Sequence, residues 1–295
     1  MPGDTEVPRL AHPAVGPSNV RDLRVETTEE HDEPWQPNWP DGTERIVLGR
    51  DPSTGGSLTL LRFPAGYDRQ DEARIHKVGG APRFEYHSCH EEIVSLEGDY
   101  VFGDPLLYDF GARSYLNHPP YWLHPARQRS EAGVLLLVRN SHPVDFGFCD
   151  IPHEWDGVES YLDASHVKAS DSHGVTSLDL DAAELRPVSE HGAPLDGVRG
   201  LRLWTDEVLG WETWLVDASP GVTLARPGDS DRAGDEWFVL EGSLLTEATG
   251  GRSELEPYGH WCDPSRYPVG GSVLVSGQAG VRALRWVVSG VLSEH

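Results

Sequence analysis

Glu91-Glu92-Ile93-Val94-Ser95-Leu96-Glu97-Gly98 reads as a β-strand with a turn residue at its end. β-branched residues and leucine fill its middle, and glycine closes it. The pattern returns in the second half of the chain as Asp235-Glu236-Trp237-Phe238-Val239-Leu240-Glu241-Gly242. Upstream, TERIVLGRDPSTGGSLTLLRFPAG (43–66) resembles VRGLRLWTDEVLGWETWLVDASPG (198–221). Downstream, SYLNHPP (114–120) resembles GHWCDPS (259–265). One matched block arises easily by chance, but three in the same order argue for a duplicated β domain.

The rest of the chain fits that reading. Short apolar runs such as SLTLLRF (57–63), GVLLLVRN (133–140), WETWLVDA (211–218) and GVRALRWVV (280–288) lie between turn signals, the signature of an all-β sandwich or barrel. A chain of 295 residues suits two domains, each able to bury its own core. The expected division is a polar, Pro-rich segment over 1–35, disordered or strapped along a barrel edge, then a first domain over 36–150. A linker over 151–189 and a second domain over 190–295 follow. The weak helical candidate is LDLDAAEL (178–185), in that linker.

Composition excludes several classes of function. The formal net charge is -24, which disfavours nucleic acid and anionic membrane surfaces as partners. Cys89, Cys149 and Cys262 are far apart, odd in number and form no C-x-x-C pair, so neither a disulfide framework nor a zinc finger is expected. No signal peptide or apolar membrane span is read, and the expected location is the cytoplasm.

The chemistry is concentrated in Phe84-Glu85-Tyr86-His87-Ser88-Cys89-His90-Glu91-Glu92 and in Pro119-Pro120-Tyr121-Trp122-Leu123-His124. Residues 85 and 87 are two apart and share a face if they lie on a strand. Glu91 follows a turn-sized gap and opens the next strand. A closed barrel can return His124 to their side. Imidazoles and carboxylates converging inside a small barrel suit a divalent ion such as Fe(II), Zn, Mn, Ni or Cu.

These residues resemble the two motifs of the cupin family, His-x-His-x3–4-Glu-x6-Gly and Gly-x5-Pro-x-Gly-x2-His. Glu91-x6-Gly98 has the Glu-to-Gly spacing, His87 stands where the second histidine belongs, and Pro119-x4-His124 has the Pro-to-His spacing. The phrases EEIVSLEGDY and HPPYWLHPA are similar to the barrel half of zinc-binding anti-sigma factors and to acetylacetone-cleaving and related dioxygenases. The resemblance implies two tandem jelly-roll cupin barrels. It implies one divalent metal, with Fe(II) favoured, held by His87, Glu91 and His124. Glu85 takes the place of the first motif histidine, Gly111 is displaced from the motif glycine, and Tyr121 replaces the second glycine. Glu85 or His90 is the candidate fourth ligand or proton-moving group. Glu92 competes with Glu91, but strand alternation admits only one inward, and the Gly98 spacing selects Glu91. Tyr115, His118 and Trp122 are candidate pocket residues.

In the second repeat the counterparts of His87, Glu91 and His124 fall near Asp231, Asp235 and Val269. That barrel is expected to have lost its ligands and to serve as structure, lid or dimer face. Three functions follow from the resemblance. The favoured one is a metal-dependent enzyme on a small molecule, an oxygenase of the dioxygenase kind. The others are a non-catalytic metal or small-molecule sensor and a metal-free isomerase or epimerase. The resemblance implies a homodimer only as a habit of the family, and the residues themselves leave the oligomeric state open.

Overall fold

The computed structural model describes residues 18–19, 35–38, 42–50, 55–69, 77–78, 81–102, 108–120, 124–144, 147–150, 177–206, 210–225, 236–248, 251–262, 273–288 and 292–294. Among them the structure is all β, without a helix. The chain divides into two compact units. One is Trp35–Ala182, the N-terminal unit; the other is Ala183–His295 together with Met1–Pro34, the C-terminal unit. The segment read as a linker is therefore shared between them.

The N-terminal unit is built on β1 (Glu44–Arg50), β2 (Ser57–Phe63), β3 (Ala81–Tyr86), β4 (Glu91–Gly98), β5 (Ser114–His118), β6 (His124–Pro125), β7 (Val134–Asn140) and β8 (Ser177–Asp179). Its largest sheet runs β8-β5-β4-β7-β2-β1 and ends on Gln36–Pro37. Every residue of β7 is buried. Its unbroken apolar run suits a central strand covered on both faces. A second sheet pairs β6 and Gly147–Asp150 with β3. The inner core joins Phe63, Tyr67, Ile93, Tyr100, Phe110, Leu116, Val134, Leu136 and Val138. Each such side chain contributes about 1.5–3 kcal/mol on burial.

The C-terminal unit repeats this plan with β9 (Arg186–Glu190), β10 (Ala193–Asp206), β11 (Trp211–Ala218), β12 (Glu236–Ala248), β13 (Gly259–Cys262) and β14 (Val273–Val288). Its sheet runs β13-β12-β14-β11-β10-β9. The match extends to single residues. Val138 faces Thr59 on one side and Ile93 on the other, as Arg285 faces Trp214 and Trp237. Ile93 faces Leu116 as Trp237 faces Trp261. Both units slip register at a corresponding place, between Leu135 and Leu136 on β7 and between Val239 and Glu241 on β12. The extra residue is Leu96 in one and Leu240 in the other, a bulge that bends the strand.

The bulge is followed in each unit by a glycine that no other residue replaces. Gly98 has φ +84°, and a Cβ there would lie 1.8 Å from the carbonyl oxygen of Gly133. Gly242 has φ +70°, and its Cβ would lie 2.2 Å from the oxygen of Gly280. Beside Gly98, the Asp99 carboxylate accepts the N–H groups of Glu131 and Ala132 and the Ser130 hydroxyl. The turn into β7 is thereby tied to the end of β4. The hydrogen bond from Glu131, with those from Ala132 and Ser130, outweighs partial desolvation and holds the Asp99 carboxyl below the usual range.

The expected helix over 178–185 is not formed. Leu178 pairs with Tyr115 in the sheet, and Asp179 Oδ1 accepts the N–H groups of Asp181 and Ala182 at 2.8 and 3.3 Å. That side-chain turn takes the donors and ends the segment as strand and bend.

Gly98→Ala is expected to destabilise the N-terminal unit by roughly 2–5 kcal/mol, from positive φ together with the backbone clash. Gly111→Ala, where a Cβ meets nothing within 4 Å, is expected to be near neutral. Urea unfolding of the two variants beside the parent measures both.

Candidate metal centre

The register of β3 against β6 sets up the first half of the site. Glu85 lies opposite His124, and Phe84 opposite Pro125. His87 follows β3 directly, two residues beyond Glu85, which makes it a diagonal neighbour of His124. Their Nε2 atoms are 3.3 Å apart and their ring centroids 5.2 Å. Both rings are buried.

The register of β4 supplies the second half. Glu91 lies opposite His118 on β5 and Asn140 on β7. Its Oε2 is 4.0 Å from His87 Nε2. Ligand atoms of His87, Glu91 and His124 all lie within 4.8 Å of one another, the grouping of this kind found among the described residues. Two donors each about 2.1 Å from one ion are separated by at most about 4.2 Å, so the 3.3 and 4.0 Å approaches suit a shared ion. Two imidazoles and one carboxylate are a donor set that divalent first-row metals accept.

His118 enters the same cluster. Its Nδ1 lies 3.0 Å from Glu91 Oε2, and its ring stacks on His124 with centroids 4.5 Å apart and planes 15° from parallel. Burial depresses its pKa against the opposing pull of Glu91, with His87 and His90 adding to the fall. A neutral ring bonded this way donates Nδ1–H to the carboxylate. Burial alone would raise the pKa of Glu91. The hydrogen bond from His118, with the attraction of the His87, His118 and His90 rings whenever they are protonated, outweighs that and leaves it below the ordinary value.

The neighbouring residues point elsewhere. Glu92 faces Arg139, with 3.8 Å between them, on the other side of β4. His90 is buried, and its Nε2–H donates to Asn117 Oδ1 at 3.2 Å. Its backbone N–H donates to Ser141 Oγ, and its carbonyl accepts from Ser141 N, each at 3.0 Å. His90 thus latches the ligand-bearing loop to the end of β7, and it is not among the three grouped donors. Tyr115, read from the sequence as a pocket residue, stands three positions from His118 on β5. It therefore faces the opposite side of the sheet from His118, fully buried. The Glu85 side chain and all of Trp122 lie outside the described residues, as do Asp231, Asp235 and Val269.

The C-terminal unit shows why its interior differs. Where the N-terminal unit has Thr59, Ile93, Leu116 and Val138, it has Trp214, Trp237, Trp261 and Arg285, all buried. The Arg285 guanidinium lies 4.8 Å from the Trp237 ring centroid and donates to Glu190 Oε1 at 2.8 Å. Trp214 Nε1 donates to Glu212 Oε2 at 2.9 Å. Three indoles and a paired arginine thus stand at the register positions that threonine, isoleucine, leucine and valine hold in the other unit. The repeat alignment already held this signal, in the Trp-for-Ile and Trp-for-Leu exchanges.

No family model matches the chain, and no curated protein matches it. Solved structures of the cupin fold do. A salicylate 1,2-dioxygenase from Pseudoaminobacter salicylatoxidans aligns over 95% of this chain and 86% of its own, with TM-score 0.57 and 11% identity. A protein from Nostoc punctiforme described as a candidate dioxygenase aligns over 95% and 92%, with TM-score 0.59 and 13% identity. A cupin 2 conserved barrel domain protein from Leptotrichia buccalis aligns over 92% and 96%, with TM-score 0.53 and 9% identity. The fold is that of the cupins. No helix among the described residues is long and apolar enough to cross a membrane.

The titration of this cluster gives a signed expectation for the metal-free protein. His118 has a folded pKa below its unfolded value of about 6.5. As pH falls through 6.5 the unfolded chain takes up a proton that the folded chain refuses, and stability drops. Glu91 adds a second loss at lower pH, because its contribution is complete above about 4.5 and disappears as pH falls through its depressed folded value. His118→Gln is expected to flatten the stability profile between pH 7 and 5.5, measured by urea unfolding in chelator. An unchanged slope would contradict the assignment.

Proposed function

We propose that the chain is a metal-dependent enzyme acting on a small organic molecule, an oxygenase of the dioxygenase kind, with its centre in the N-terminal unit. The observation that carries this reading is the convergence of His87, just past β3, with Glu91 on β4 and His124 on β6. Those three residues would hold one divalent ion, Fe(II) by preference. Such an ion would supply Lewis-acid binding of substrate oxygens and, as Fe(II), chemistry with dioxygen.

The chain's own residues have separate tasks in this reading. Glu91 stays ionised inside the barrel and offsets the charge of the ion. His87 and His124 act as neutral nitrogen donors. Glu85, opposite His124 in the sheet, is the group proposed to complete the shell or to move a proton at the substrate. The apolar residues Ile93, Leu116 and Val138 line the same face of the sheet and exclude water beside the site. The C-terminal unit, its interior filled by tryptophans, serves as structure. A homodimer in the cytoplasm completes the proposal.

The test is turnover after metal exchange. The protein is stripped with chelator, reloaded anaerobically with Fe(II), Mn(II), Zn(II) or Ni(II), and offered small aromatic acids and β-diketones with dioxygen. Uptake of dioxygen in the Fe(II)-loaded protein, reduced to background by His87→Ala, is the expected result. Turnover that survives chelation, without dioxygen uptake, would establish a metal-free isomerase instead.

A further inference from the structure

His118 touches two of the three grouped donors. Its Nδ1–H bonds to Glu91 Oε2, and its ring lies flat against the ring of His124. The oxygen it bonds is the inward one, since the same Oε2 is the atom 4.0 Å from His87 Nε2. The contact follows from strand register, because His118 and Glu91 are direct cross-strand partners. Such partners stand about 4.5–5.5 Å apart at Cβ, close enough for these two side chains to meet. Its place in the fold is therefore beside the donors, and it fixes both the turn of the carboxylate and the plane of one imidazole.

We propose that His118 is a positioning residue of the metal centre: its Nδ1–H holds the donor oxygen of Glu91 while its ring braces His124. The assignment rests on the metal-holding reading above. It gives His118 a role distinct from lining a substrate pocket, and distinct from ligation. Groups that bond a ligating carboxylate set its orientation and its basicity. Their loss usually weakens metal affinity about 10–100-fold. The geometry adds a requirement on the kind of replacement. An asparagine amide nitrogen falls near the imidazole Nδ1 and can still donate to Glu91. A glutamine amide nitrogen falls near Nε2 and cannot do so from the same rotamer.

The test is Co(II) binding to the full-length, chelator-stripped protein, read by competition with a chromophoric chelator and by the visible d–d bands. The set is wild type, His118→Ala, His118→Asn, His118→Gln and Glu91→Ala. The expected result is one Co(II) in wild type, with affinity about 10–100-fold lower and altered bands in His118→Ala and His118→Gln. His118→Asn is expected to recover most of the affinity and the wild-type bands. Circular dichroism of each variant verifies folding, and the contrast between Asn and Gln does not depend on the alanine variant. Equal affinity and bands in all three His118 variants would overturn the positioning role. Complete loss of Co(II) in all three, matching Glu91→Ala, would make His118 a ligand and also overturn it. A wild type that binds no Co(II) would overturn the metal-holding reading itself.

Discussion

Strand Glu91–Gly98 is gripped from both sides, by Ser114–His118 and by Val134–Asn140, and its register brings Glu91 and His118 together at the candidate centre. A shift of one residue would bring Glu92 inward in place of Glu91 and would separate it from Arg139. The register is anchored at the far end of the strand. The bulge at Leu96 and the close approach of Gly98 to the Gly133 carbonyl allow only one alignment of the two chains. The Asp99 carboxylate, bonded to the following turn, keeps that end closed. The centre then depends on a second, shorter pairing, in which His124 is laid opposite Glu85 and so beside His87.

The C-terminal unit keeps the same frame, down to the bulge and the glycine, and fills it differently. Arg285 inside that barrel is neutralised by Glu190 and covered by Trp237. Removing either member of such a buried pair leaves an uncompensated charge, which costs about 3–5 kcal/mol. An interior held by three indoles and an ion pair is committed to packing. The N-terminal unit has threonine, isoleucine, leucine and valine at those positions, and its polar groups gather at the His87 end. The same strand plan thus carries a packed interior in one unit and a cluster of imidazoles with a carboxylate in the other.

Much of this was legible in the sequence, for identifiable reasons. The alternating runs and closing glycines announced an all-β chain, because period and turn chemistry are local properties. The grouping of His87, Glu91 and His124 followed from motif spacing. The remaining readings turn on facts outside the motifs themselves. Tyr115 was read as a pocket residue, although its odd offset from His118 already set it on the opposite face. The segment 178–185 has helical composition, but Asp179 captures the N–H groups a helix would use. The bond between His118 and Glu91 needs the pairing of two strands that lie far apart in sequence, and no local pattern reports it.

The central claim is that the N-terminal unit holds one divalent ion through His87, Glu91 and His124. The most direct measurement is the metal content of protein purified without a histidine tag, beside Glu91→Ala and His124→Ala. The account predicts close to one ion per chain in the parent and none in either variant. A parent that stays metal-free after anaerobic loading with Fe(II), Mn(II), Zn(II) and Ni(II), or variants that keep the ion, would contradict it.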